Sequence, residues 1–101
     1  MIELAIATIN YRTPDLTMSC INSVLDDQEN LPEFKIYVVD NASPDNSIEL
    51  LTDYIHSYDL SNKVELIQSE INGGFAYGNN LVMSKILQNE IKPQYLSLIH
   101  I

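Results

Sequence analysis

Glycine is scarce in this chain, tryptophan is absent and cysteine occurs once. All three glycines fall between positions 73 and 78. The turn Asn10-Tyr-Arg-Thr-Pro-Asp15, which follows the first apolar run, therefore has none. A dinucleotide fingerprint needs glycines at that point so that a pyrophosphate can approach a helix start, and this absence excludes it. Gly73-Gly-Phe-Ala-Tyr-Gly78 has the wrong spacing for a P-loop, and no Lys-Ser or Lys-Thr follows it. The lone Cys20 forms no internal disulfide and reads as a small core residue in a reducing compartment. Positive charge is also sparse. Five Lys and Arg stand against 14 Asp and Glu, a net charge of −9. Such a surface repels nucleic-acid backbones and excludes DNA or RNA as partner. No uninterrupted apolar run approaches the roughly 18 residues of a membrane span.

What the chain does contain is a packed-core composition, 46% hydrophobic and only 19% charged. Apolar runs rich in β-branched residues alternate with helical periodicities. Residues 2–9 read as a strand covered on both faces. Thr13-Pro14-Asp15 predicts a helix start, with Leu16, Cys20, Ile21, Val24 and Leu25 as its buried stripe. Residues 34–39 give a second strand. A second helix follows, capped by Ser43 or by Asn46 with Glu49, and buries Ile48, Leu51, Ile55 and Tyr58. Residues 63–67 form a third strand. Beyond Gly73-Gly74 a third helix carries Ala76, Asn79 or Asn80, Met83, Ile86 and Leu87 inward, and residues 95–101 form a fourth strand. The order β-α-β-α-β-α-β predicts an α/β fold, a three-layer α/β/α sandwich around a mostly parallel sheet.

In such sheets ligands bind beyond the carboxyl ends of the strands. The polar residues of interest collect there: Thr8 and Asn10, Asp40 and Asn41, then Asn72 to Gly74. Each has a structural alternative. Asp40 and Asn41 can terminate a strand, Gly73-Gly74 can make a left-handed turn, Asn79 and Asn80 can be surface or capping amides, and Tyr11 can be a loop aromatic. His56 and His100 lack a partner at metal-ligand spacing and read as structural, and Asp26 and Asp27 as solvated.

Three segments in order carry a resemblance: Thr8-Ile-Asn-Tyr11; Val38-Val-Asp-Asn-Ala-Ser43 with Asp45 and Ser47; and Asn72-Gly-Gly-Phe-Ala-Tyr-Gly-Asn-Asn80. Together they resemble the family 2 glycosyltransferases of GT-A fold, especially rhamnosyltransferase-like members, over Ile2 to about Leu96. The resemblance implies a Rossmann-like half-domain that binds a nucleoside-diphosphate sugar of UDP or dTDP type. In that setting Asp40 would accept the N3–H of a uracil or thymine ring. Thr8, Asn10 and Tyr11 would flank the base, Asn41 and Ser43 would brace the turn or touch the ribose, and Gly73 and Gly74 would let the main chain pass close to the nucleotide. Asn79 or Asn80 would reach ribose, phosphate or sugar.

The resemblance also implies Mg²⁺ or Mn²⁺ on the donor diphosphate, held by an acidic element after the fourth strand that this chain does not show. A saccharide or lipid-linked acceptor, a catalytic base and a cytoplasmic site of polysaccharide synthesis, at or near the membrane face, complete the expectation. Residues 1–101 are thus expected to be the N-terminal, donor-binding part of a longer enzyme, inactive alone and prone to self-association through an exposed sheet edge. The rival class is a non-catalytic flavodoxin- or receiver-like module. A receiver fits poorly, with Asn10 and Ser69-Glu70 where acids would be wanted. A nucleotidyltransferase would want a glycine- and arginine-rich first loop.

Overall fold

A computed structural model describes residues 4–71, 73–87 and 95–99. Four strands, β1 (Leu4–Asn10), β2 (Phe34–Asn41), β3 (Val64–Ser69) and β4 (Tyr95–Ile99), alternate with three helices, α1 (Pro14–Asp26), α2 (Ser47–Ser57) and α3 (Gly74–Leu87). The strand order is β3-β2-β1-β4 and every pairing is parallel. The chain winds outward from β1 to β3, then crosses back to place β4 on the other side of β1. The order reverses there, and the strand ends beside it are where such sheets bind ligands.

Period-two alternation builds the two faces. Ile6, Phe34, Ile36, Val38 and Val64 meet Ile21 of α1 and Leu51 of α2 on one side. Ala5, Ala7, Tyr37 and Val39 meet Val82 and Ile86 of α3 on the other. The small side chains of Ala5 and Ala7 let α3 settle close to the central strand.

The helices present most of their predicted stripes to the core, with Ile21, Val24 and Leu25 of α1, Leu51 and Ile55 of α2 and Ile86 of α3, and differ at single positions. In α1 the buried residues are Thr17 and Ile21, while Leu16 is 57% exposed. The Thr17 hydroxyl bonds Asn10, and that polar anchor fixes the rotation of the helix. In α2 Tyr58 is 69% exposed, and Tyr54 takes the place against the core. In α3 Met83 is exposed and Val82 buried. Of the two caps expected for α2, Asn46 holds the position but Ser43 does not. Asn46 occupies the cap position without a side-chain bond, and Asp45 Oδ1 instead accepts from Ser47 N–H at 3.0 Å and Ser47 Oγ at 2.6 Å. Strand β2 runs two residues beyond its predicted end, because Asp40 and Asn41 continue the ladder opposite Gln68 and Ser69. Residues 100 and 101, expected to continue β4, lie outside the described residues.

Candidate functional site

The carboxyl ends of β1 and β2 carry polar side chains on both faces of the sheet. Asn10 and Asp40 are ladder partners, so their side chains project to the same side, the one covered by α1 and α2. Asn10 Nδ2 donates to Asp40 Oδ1 at 2.8 Å. Asn10 Oδ1 accepts from Thr17 Oγ1 at 2.8 Å and from Thr13 Oγ1 at 3.3 Å. Thr13, predicted as a helix cap, thus turns back to the strand end. The other Asp40 bonds come from Ser43, whose hydroxyl donates to Oδ1 at 2.6 Å and whose N–H donates to Oδ2 at 3.1 Å. Ser43 Oγ also accepts from the Arg12 N–H at 3.0 Å.

This network joins the β1–α1 and β2–α2 loops. Arg12 (φ 59°) and Ala42 (φ 57°) take left-handed backbone geometry within those loops. Non-glycine residues adopt it at a cost of about 1 kcal/mol or more. At Ala42 the turn lets Ser43 fold back on Asp40. The sequence presents Asp40 as an acceptor open to a ligand, whereas the structure leaves it 1% exposed and engaged by three protein donors.

Asn41, the next residue, faces the other way, toward α3. A Cβ placed on Gly78 would lie 3.4 Å from Asn41 Oδ1 and 2.6 Å from Ile9 Cδ1. Gly78 therefore lets the first turns of α3 close over the ends of β1 and β2. Sequence reasoning left this glycine out of the site, although a helix-interior glycine costs about 1 kcal/mol relative to alanine and calls for a packing reason. Asn79 beside it is 5% exposed, and its Oδ1 has no hydrogen-bond partner among the described residues. Asn80 points to solvent. Gly73 has its own explanation, since a Cβ there would run into Cβ of Tyr77 at 2.6 Å. Gly74 opens α3. Asn72 lies outside the described residues. The approach to this segment is shaped by Ser69, whose hydroxyl donates to the Ile71 carbonyl at 2.7 Å.

Two further predicted residues frame the site. Tyr11 is 39% exposed at the start of the β1–α1 loop. Thr8 is fully buried, and its hydroxyl has no hydrogen-bond partner among the described residues. Burial pushes the Cys20 thiol's pKa up, so Cys20 is a neutral packing group. Asp45 sits below the usual carboxylate range, chiefly through its bond from the Ser47 hydroxyl and in smaller part through Arg12. Among the described residues no three His, Cys, Asp or Glu side chains converge as metal ligands.

A sequence profile of glycosyl transferase family 2 matches residues 4–89. The chain belongs to that family. Its fold is similar to that of the solved "Mannosyltransferase PcManGT from Pyrobaculum calidifontis in complex with GDP-Man and Mn2+", with a TM-score of 0.63 at 17% identity. The match covers 82% of this chain and 24% of that one, so the glycosyltransferase domain described here spans about a quarter of its neighbour's length. No curated protein matches the chain significantly. The match spans β1 through α3, and with them both faces of the polar strand ends just described.

Proposed function

We propose that this chain is the donor-binding part of an enzyme that transfers a sugar from a nucleoside diphosphate, of UDP or dTDP type, to a saccharide or lipid-linked acceptor. The observation that carries the reading is the bonded Asn10–Asp40–Ser43 cluster. It fixes two loops at the end of the sheet where its strand order reverses, with α3 closing over the other face.

Asp40 and Asn41 both shape the crevice wall. The Asp40 carboxylate holds Asn10 and Ser43, and Asn41, 2% exposed on the α3 side beside Gly78, braces the turn. The base meets main-chain groups of the β1–α1 loop, whose N–H and C=O can pair with a carbonyl and the N3–H of a uracil or thymine ring. Tyr11 flanks the ring, and Asn79 supplies a buried amide oxygen for a ribose or sugar hydroxyl. Mg²⁺ or Mn²⁺ belongs to the whole enzyme, where it would neutralise the departing diphosphate. Its acidic element, expected after β4, is not in this sequence, where His100 and Ile101 follow the strand. A dTDP-linked donor and a cytoplasmic role in polysaccharide assembly rest on the resemblance of Val38–Ser43 and Asn72–Asn80 to rhamnosyltransferase-like enzymes.

The test is calorimetric titration of the chain with UDP, dTDP and GDP, with and without Mn²⁺. Uracil or thymine nucleotides should bind in preference to GDP, and Tyr11→Ala should weaken them about tenfold, within the worth of a base stacked on an aromatic ring. Preference for GDP overturns the base assignment. Failure of every nucleotide to bind overturns the donor-site reading.

A further inference from the structure

We infer that the outer edge of β3, with the groove beneath it, is a docking site for a basic, extended polypeptide segment that joins the sheet as an additional strand.

The hydrogen-bond parity of β3 shows which groups are available. Ile36 N–H donates to the Lys63 carbonyl at 2.7 Å, with Ile36 paired to Val64 in register. Bonds in a parallel ladder alternate along the strand, so Glu65 and Ile67 address β2. Leu66 and Gln68 turn their N–H and C=O groups outward. The Val64 N–H, at the start of that outer row, is already taken by the Leu60 carbonyl at 2.8 Å. Among the described residues no strand lies beyond β3.

Below this edge, on the α2 side, lies a groove of about 320 Å³. Its apolar floor is Ile55, Val64 and Leu66, and Thr52, His56 and Asp59 form the helical wall. Side chains of an added strand alternate between faces, so every second one would enter the groove while the backbone bonds Leu66 and Gln68. The groove lies toward the start of β3, whereas the candidate nucleotide site lies at the strand ends.

Charge selects the occupant. No lysine or arginine occurs between Lys35 and Lys63. Along α2 and its exit, Glu49, Asp53 and Asp59 are all exposed. On the other face Glu65 is already satisfied, bonded by Lys35 at 2.9 Å and paired with Lys85 at 3.3 Å. On the groove side Lys63, over the Phe34 ring at 4.7 Å, offsets part of this charge, and three acids against one lysine still favour a cationic segment with aliphatic anchors. A second copy is disfavoured, because each chain carries a net charge of −9.

The experiment is a ¹⁵N NMR titration of the chain with a short peptide of repeating Val-Thr-Lys-Thr, whose groove-facing positions alternate valine and lysine, beside the Val-Thr-Glu-Thr counterpart. The lysine peptide should shift the Leu66 and Gln68 amides, with an affinity that falls as salt rises, and the glutamate peptide should not bind. Gln68→Pro removes only an outward N–H, which edge strands tolerate, and should weaken binding about tenfold while leaving the rest of the spectrum folded. Ile55→Ser should weaken it through the groove. Unchanged binding by Gln68→Pro, equal binding of the glutamate peptide, or no binding by either peptide overturns the proposal. So does self-association that Gln68→Pro abolishes, which would make the occupant a second copy.

Discussion

Asn10 and Asp40 are joined twice, as partners in the β1–β2 ladder and through a side-chain bond of 2.8 Å between Asn10 Nδ2 and Asp40 Oδ1. The strand register places the pair side by side, and the pair in turn holds two loops and a helix. It follows that Asp40 answers first to the fold.

Asp40→Ala takes the acceptor from the part-buried Ser43 N–H and hydroxyl and leaves the buried Asn10 amide only a 3.4 Å bond to Ser43 Oγ. The expected loss is about 3 kcal/mol, the cost of a few unsatisfied polar groups. Asp40→Asn keeps one carbonyl acceptor and should lose less. Urea unfolding midpoints of the two variants check this ordering, and equal stability of Asp40→Ala and the parent would remove the positioning role.

Gly78→Leu should push α3 away from Ile9 and Asn41. Overpacking of this kind costs about 1–3 kcal/mol. Gly78→Ala is milder, because its Cβ meets the mobile end of Ile9 and the helix gains propensity. Thermal melts separate the two, with Gly78→Leu also losing nucleotide binding.

Helix orientation can be tested without a ligand. Leu16→Ser and Tyr58→Ser alter exposed positions and should stay within about 0.5 kcal/mol of the parent. Ile21→Ala empties a fully buried site and should cost about 2–5 kcal/mol. A large effect of Leu16→Ser in chemical denaturation would mean that α1 is rotated from the arrangement described.

Glu65 provides a pH signature. Burial alone would raise its pKa, but the bonds and charges of Lys35 and Lys85 outweigh that and hold it below 4.5. A carboxylate depressed by folding adds stability that is fully present above the unfolded pKa and is lost as pH falls through the folded one. Stability measured from pH 5 downward should therefore fall less steeply in Glu65→Gln than in the parent. Parallel curves would show that the two lysines contribute nothing.

The layer order and the parallel sheet were legible in the sequence, because unbroken β-branched runs and helical periods are strong local signals, and the polar residues it singled out do collect at the strand ends. The exposure of Leu16 was not legible. Leu16 and Thr17 are neighbours, and hydropathy favours burying Leu16, whereas the long-range bond from Thr17 to Asn10 decides the matter. The directions of the Asp40 and Asn41 side chains were likewise hidden. Their types fit either face, and only the parity of β2 shows that one faces α1 and the other α3. Gly78 left a trace in its unfavourable helical position, but its partners Ile9 and Asn41 are far away in sequence.

The central position of β1 has a consequence for biosynthesis. Its first partner, β2, follows within one helix, but on its other flank Leu4 pairs with Tyr95 and Thr8 with Ile99. At roughly 5–20 residues per second, the ribosome takes on the order of ten seconds to deliver that second neighbour. Through that interval a largely buried strand of the nascent chain has one flank unmatched, a natural point for chaperone engagement.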